Sequence, residues 1–105
     1  MAGSPQPNWP ALERLKEELQ REFRKQGVDH VEYVLAFSAP FDVWVWLGTA
    51  TDAERDTLAA DRALDDRVRA AADRCGLAEI VRGTAVESNE TVDREYDGQW
   101  FYRLR

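Results

Sequence analysis

Leu12, Leu15, Leu19 and Phe23 recur at intervals of three and four residues, the spacing that sets side chains along one stripe of an α-helix. Asn8 stands ahead of them as an N-cap, and Pro10 falls in the first turn, where its missing N–H leaves no bond unmade. The pattern predicts a helix from about Trp9 or Pro10 to Gln26. Gly27 supplies a left-handed residue just past its end, with Val28 as the apolar residue beyond. Glu17–Arg21 and Glu22–Lys25 are spaced to pair on the outer face.

From Val31 to Phe37 and from Phe41 to Leu47 the period changes to two. Val31, Tyr33, Leu35 and Phe37 share one side of the first run. Phe41, Val43, Val45 and Leu47 share one side of the second, with Asp42, Trp44 and Trp46 on the other. Aromatic and β-branched residues favour strands, and Ser38-Ala39-Pro40 between the runs reads as a hairpin connection. Thr51-Asp52-Ala53-Glu54 has the spacing of a capping box and opens a second helix. Its later stripe is Leu64, Val68, Ala71 and Cys75, with Asp65–Arg69 and Arg69–Asp73 as i,i+4 pairs. Leu58 fits that stripe poorly and marks a break near Asp61. Gly76-Leu77 repeats the glycine-then-apolar ending of the first helix.

Glu79 to Val86 reads as a third strand, with Ile80 and Val86 on one face and Val81 and Ala85 on the other. Gln99 to Arg105 reads as a fourth, with Trp100, Tyr102 and Leu104 opposite Phe101. The polar segment 87–98 between them is a long loop or the outer part of a twisted hairpin. The order α-β-β-α-β-β predicts an α+β fold, a four-stranded antiparallel sheet with two helices packed on one face. This single domain covers residues 10–105, after a proline- and glycine-bearing flexible tail over 1–9.

Two helices cannot cover both faces of such a sheet. With Phe41, Val43, Val45 and Leu47 turned to the helices, Trp44 and Trp46 point away, and Trp100 and Tyr102 join them in one register. A face of that kind is an anchor for a homodimer or a protein partner. The alternatives are a small-molecule pocket between the tryptophans and the 87–98 segment, and a tryptophan face that is itself core.

Charge narrows the partners. The chain has 105 residues, with 20 acidic and 14 basic side chains and a formal charge of −6. Without a Lys/Arg cluster, that balance argues against nucleic acid. Acids gather in 42–66 and again in 87–97. Adjacent in space, they form an acidic surface that steers a basic partner, with Asp93, Glu95 and Asp97 as its candidates. Charges interrupt every apolar run well short of the ~18 residues of a membrane span. The opening lacks a basic stretch followed by an apolar one, so a cytoplasmic protein is expected. Cys75 is the sole cysteine, which leaves no internal disulfide and no cysteine-based zinc site.

Candidate chemistry is sparse. His30, flanked by Asp29, has the makings of a base, but no nucleophile is tied to it by spacing and it reads as structural. Cys75, on an apolar stripe, reads as a small core residue. Asp93, Glu95, Asp97 and Gly98 imitate the start of a calcium loop, yet the twelfth position is Leu104 where a bidentate glutamate belongs. Gly48-Thr49-Ala50-Thr51 leads into a helix N-terminus without a phosphate-binding lysine or GxGxxG, and Asp52, Glu54 and Asp56 already supply negative charge there. Asn89-Glu90-Thr91 has the form of a glycosylation sequon, which carries weight only in a secreted chain. No cofactor is expected. The sequence thus points to a non-enzymatic interaction module using its aromatic face, with a small-ligand binder or enzyme as the alternative.

Overall fold

The computed structural model describes residues 5–104; of the tail read over 1–9, residues 1–4 lie outside them. Helix α1 spans Trp9–Phe23 and closes in a 3-10 turn at Arg24–Gln26. Asn8 Oδ1 accepts from the Ala11 N–H at 3.2 Å, and Gly27 takes the left-handed conformation with φ 93°. Strands β1, Val28–Leu35, and β2, Val43–Thr49, pair antiparallel. The hairpin is therefore as the alternation predicts, although Phe37 and Phe41 fall outside the strands and Phe37 is fully exposed. The Thr51 capping box is present, its Oγ1 accepting from the Glu54 N–H at 3.1 Å. It opens α2, Asp52–Ala59, and the break near Asp61 separates this from α3, Leu64–Arg74.

The rest corrects the expected architecture. The sheet has three strands in the order β1-β2-β3, and β3, Val81–Ser88, runs parallel to β2. It is mixed, not a four-stranded antiparallel sheet, and among the described residues five α-helices accompany it instead of two. The physical cause is the β2–α2–α3–β3 crossover, which carries the chain back to the starting end of β2 before β3 begins. Segment 87–98 is neither a loop nor a hairpin arm. Ser88 Oγ accepts from the Thr91 N–H at 3.1 Å and starts α4, Asn89–Glu95. The expected fourth strand is α5, a single turn at Trp100–Arg103. Val81 and Ala85 do not share a face, because the register shifts between Val43 and Trp44, where Val43 pairs with Val81 and Trp44 with Gly83.

The core lies between the sheet and α1, α2 and α3. Leu12, Leu15, Leu19 and Phe23 meet Val31, Val43, Val45 and Leu47, with Leu58, Leu64, Val68 and Ala71 completing it. Arg67 fastens α3 to α1, donating to Glu22 at 3.0 Å and to Gln26 at 3.0 Å, while its guanidinium lies 4.2 Å over the Phe23 ring. The pairs expected at Asp65–Arg69 and Arg69–Asp73 do not form: Arg69 has no ion-pair partner among the described residues.

Candidate functional site

Alternation along β2 turns Trp44 and Trp46 to the face opposite the core. The register places Val34 and Glu32 of β1 beside them on one flank, and Gly83 and Ala85 of β3 on the other. Because these last two side chains are so small, an apolar groove of about 320 Å³ opens over the strands. Its lining includes Val34, Trp44, Trp46, Gly83, Ala85 and Leu104. A Cβ built on Gly83 would stand 3.5 Å from Trp44 Cδ1, an ordinary contact, so the space is real room and not a forced approach.

The far half of this face is closed by α5. Trp100, Arg103 and Leu104 fall at i, i+3 and i+4, which turns all three to the sheet. The Arg103 guanidinium lies 4.4 Å above the Trp46 ring and its Nε donates to Glu87 Oε2 at 2.6 Å. Trp100 meets His30 edge to face with ring centroids 4.4 Å apart, and its Nε1 donates to Asn89 Oδ1 at 3.0 Å. Phe101 and Tyr102, on the outer side of that turn, are 65% and 51% exposed. Of the aromatics singled out from the sequence, Trp44 and Trp46 share the groove. Trp100 instead covers His30, and Tyr102 lies outside the groove lining.

Behind the closed half sits a polar cluster. Glu87, 4% exposed, accepts from Arg103, from the Ser88 N–H and from Arg55 Nη1 at 3.0 Å. Burial pushes its carboxyl up, but these three bonds outweigh it and hold the group below the usual carboxylate range. Asp52 accepts from the Ser88 hydroxyl, from Thr91 Oγ1 at 2.8 Å and from Arg94 at 3.2 Å. The two hydroxyls chiefly hold its pKa at about 2, against a smaller opposing push from desolvation and with help from Arg94. The acid-rich segments 42–66 and 87–97 do meet here, since the Asp52 N–H donates to Glu90 at 2.7 Å. They meet through Arg55, Arg94 and Arg103 interleaved between the carboxylates. Asp93, Glu95 and Asp97 are exposed and do not line the groove.

His30 Nδ1 lies 2.6 Å from Asp29 Oδ1; a carboxylate only accepts, so Nδ1 carries the proton. Its Nε2 is sealed without a hydrogen-bond partner, the ring lying against Gly48 and under Trp100. Asp29 Oδ2 accepts from Asn89 Nδ2 at 3.1 Å, which closes a circuit from His30 through Asp29, Asn89 and Trp100 back to His30. Nε2 is therefore covered, while the His30 and Asp29 side chains keep 25% and 50% of their surface exposed. Cys75 is buried, and that burial chiefly pushes its thiol up, so it is a poor nucleophile. Among the described residues no three His, Cys, Asp or Glu side chains are placed to hold a metal ion. None of their helices is long and apolar enough to cross a membrane.

Sequence reasoning missed two pairs of residues that contribute to the site. Gly83 and Ala85 matter for being small, which shows only once their pairing with Trp44 and Trp46 is known. Arg103 and Glu87 sit sixteen residues apart in the chain, and no local pattern joins them. No protein-family model, curated protein or solved structure matches the chain, so its own geometry carries the functional reading.

Proposed function

We propose that this chain is a protein-interaction module whose working surface is the Trp44 groove, filled by large apolar side chains of a partner protein. The observation that carries this is the chemistry of the lining. Its side chains are apolar apart from the indole N–H groups of Trp44 and Trp46, since Thr84, the partner of Val45, sends its side chain to the core face, and Trp44 stands 45% exposed. Sites for polar metabolites add several convergent hydrogen-bonding groups to their apolar walls. Here such groups are already used: Arg103 and Glu87 hold each other, and His30 has Nδ1 bonded to Asp29 and Nε2 covered. An apolar side chain asks only for area and shape, and tryptophan is a frequent anchor at protein interfaces.

Side-chain analogues test this reading. Indole and p-cresol titrated into 15N-labelled protein should shift the Trp44 indole N–H and the Gly83 and Ala85 amides. Gly83→Val, which fills the groove, should abolish those shifts. Shifts scattered over the surface, or unchanged by Gly83→Val, would count against the groove. Light scattering on the protein alone separates partner from self: a stable dimer that Trp44→Glu dissolves would make a second copy the occupant.

A further inference from the structure

Among the described residues, β3 has a strand on one side only. Across the ladder the Val43 N–H donates to the Ile80 carbonyl at 2.8 Å, so Val43 directs its peptide groups toward β3. Direction alternates along a strand, so Trp44 turns its groups to β1 and Val45 again to β3. Val45 is the partner of Thr84, and in a parallel ladder its bonds go to the residues on either side, Gly83 and Ala85. The N–H and C=O of Thr84 and Val86 therefore point outward, off the open edge of the sheet.

That edge carries little of the usual protection. Natural edges are blunted by charges, prolines or bulges. The register shift beside Arg82 blunts the start of β3 and Glu87 marks its end, but Gly83-Thr84-Ala85-Val86 between them is uncharged and lacks proline. Both faces are also recessed along this stretch. On one side lies the Trp44 groove, bordered by Gly83 and Ala85. On the other is a recess of about 200 Å³, lined by Arg69, Arg82, Asp65, Val68 and Val81 beside Gly83 and Thr84. Arg82 forms an ion pair with Asp42, its Nε 3.0 Å from Oδ1, whereas Arg69 has no partner among the described residues.

An added strand sends successive side chains to opposite faces. We infer that β3 accepts an extended segment of a partner protein, with large apolar side chains at alternate positions and a carboxylate between them. Resting on the groove reading above, this assigns its occupant a conformation and a sequence pattern. The apolar residues lean over Gly83 and Ala85 onto Trp44 and Trp46, as large side chains cover glycines across strand pairs. The carboxylate meets Arg69, an unpaired cation on a protein of net charge −6. Backbone bonds to Thr84 and Val86 supply affinity and the two recesses supply selectivity, the division of labour in strand addition.

The test is selection of a displayed library of random heptapeptides on the wild type, Thr84→Pro, Gly83→Val and Arg69→Glu. Proline is tolerated on an edge strand where the N–H it removes faces outward. The wild type should enrich peptides alternating large apolar residues with one Asp or Glu. Thr84→Pro should weaken them at least tenfold, and Arg69→Glu should replace the selected acid with Lys or Arg. As a check independent of how the variants fold, N-methylation of the selected peptide at the amides facing β3 should cost the same tenfold. Binders lost in Gly83→Val but kept by Thr84→Pro and by the N-methylated peptide would overturn strand addition and leave the groove standing. Binders indifferent to Gly83→Val, or no enrichment at all, would overturn both. A dimer of the protein alone that Thr84→Pro dissolves would give the edge to a second copy and overturn the partner segment.

Discussion

The guanidinium of Arg103 lies 4.4 Å over the indole of Trp46 while its Nε holds Glu87 at 2.6 Å. One side chain thus covers an aromatic ring and neutralises a buried carboxylate, and through it a single helical turn is latched to the sheet. Arg103→Ala should release α5, expose Trp46 and leave Glu87 with Arg55 as its one cation beside the Ser88 N–H. A loss of about 2 kcal/mol in urea unfolding is expected, with a red shift of tryptophan emission. Arg103→Lys should recover only part of it, because an ammonium lacks the planar fork that stacks and bonds together.

Trp44 and Leu47 separate the two faces of β2. Leu47 is fully buried among the helices, whereas Trp44 borders the groove. Leu47→Ala should cost about 2–5 kcal/mol through lost transfer energy and a cavity. Trp44→Ala should cost only about 1 kcal/mol while abolishing groove binding. Equal losses in chemical denaturation would return Trp44 to the core.

That opposition of faces was legible in the sequence, because alternation along 43–47 leaves one choice once Val43, Val45 and Leu47 are core. The first helix, its Asn8 and Gly27 ends, the hairpin and the Thr51 capping box were legible for the same reason: each is decided within a few residues. The direction of β3 was not. It depends on where the α2–α3 crossover delivers the chain, which no local pattern records. Segment 99–104 is ambiguous in itself, since Trp100, Tyr102 and Leu104 alternate while Trp100, Arg103 and Leu104 also fit a helical turn. Bonds to Asn89 and Glu87, both distant in the chain, accompany the helical choice. The groove was half legible, its tryptophans from alternation but its small-residue floor only from the register.

Gly48 and His30 form the tightest approach on the second face. A Cβ on Gly48 would stand 2.1 Å from His30 Cε1, so Gly48→Ala must displace the imidazole. The displaced ring loses its bond to Asp29 and its contact with Trp100. Overpacking of this kind costs about 1–3 kcal/mol. The His30 ring resonances should move in the NMR spectrum, and unchanged resonances and stability would contradict the packing described.

Acid should loosen the α2–α4 junction within a defined window. Asp52 is held at about 2 in the folded protein, below its ordinary 3.8, so the native state takes up the proton less readily than the unfolded chain. Its contribution is complete above the ordinary value and fades as pH falls from there through about 2. Glu87, also lowered, acts in the same direction. Thermal melts at pH 5, 3 and 2 should show a steep fall for the wild type and a shallower one for Asp52→Asn. Parallel curves would remove Asp52 from the linkage.

The groove itself is tested most directly by titrating indole into 15N-labelled wild type and Gly83→Val while following amide and indole N–H shifts. A fragment of that size is expected to bind in the ~1 mM range. The shifts should be confined to Trp44, Gly83, Thr84 and Ala85, and Gly83→Val should show none. Saturable shifts elsewhere on the surface, or the same shifts in Gly83→Val, would contradict the reading of this face as a docking groove.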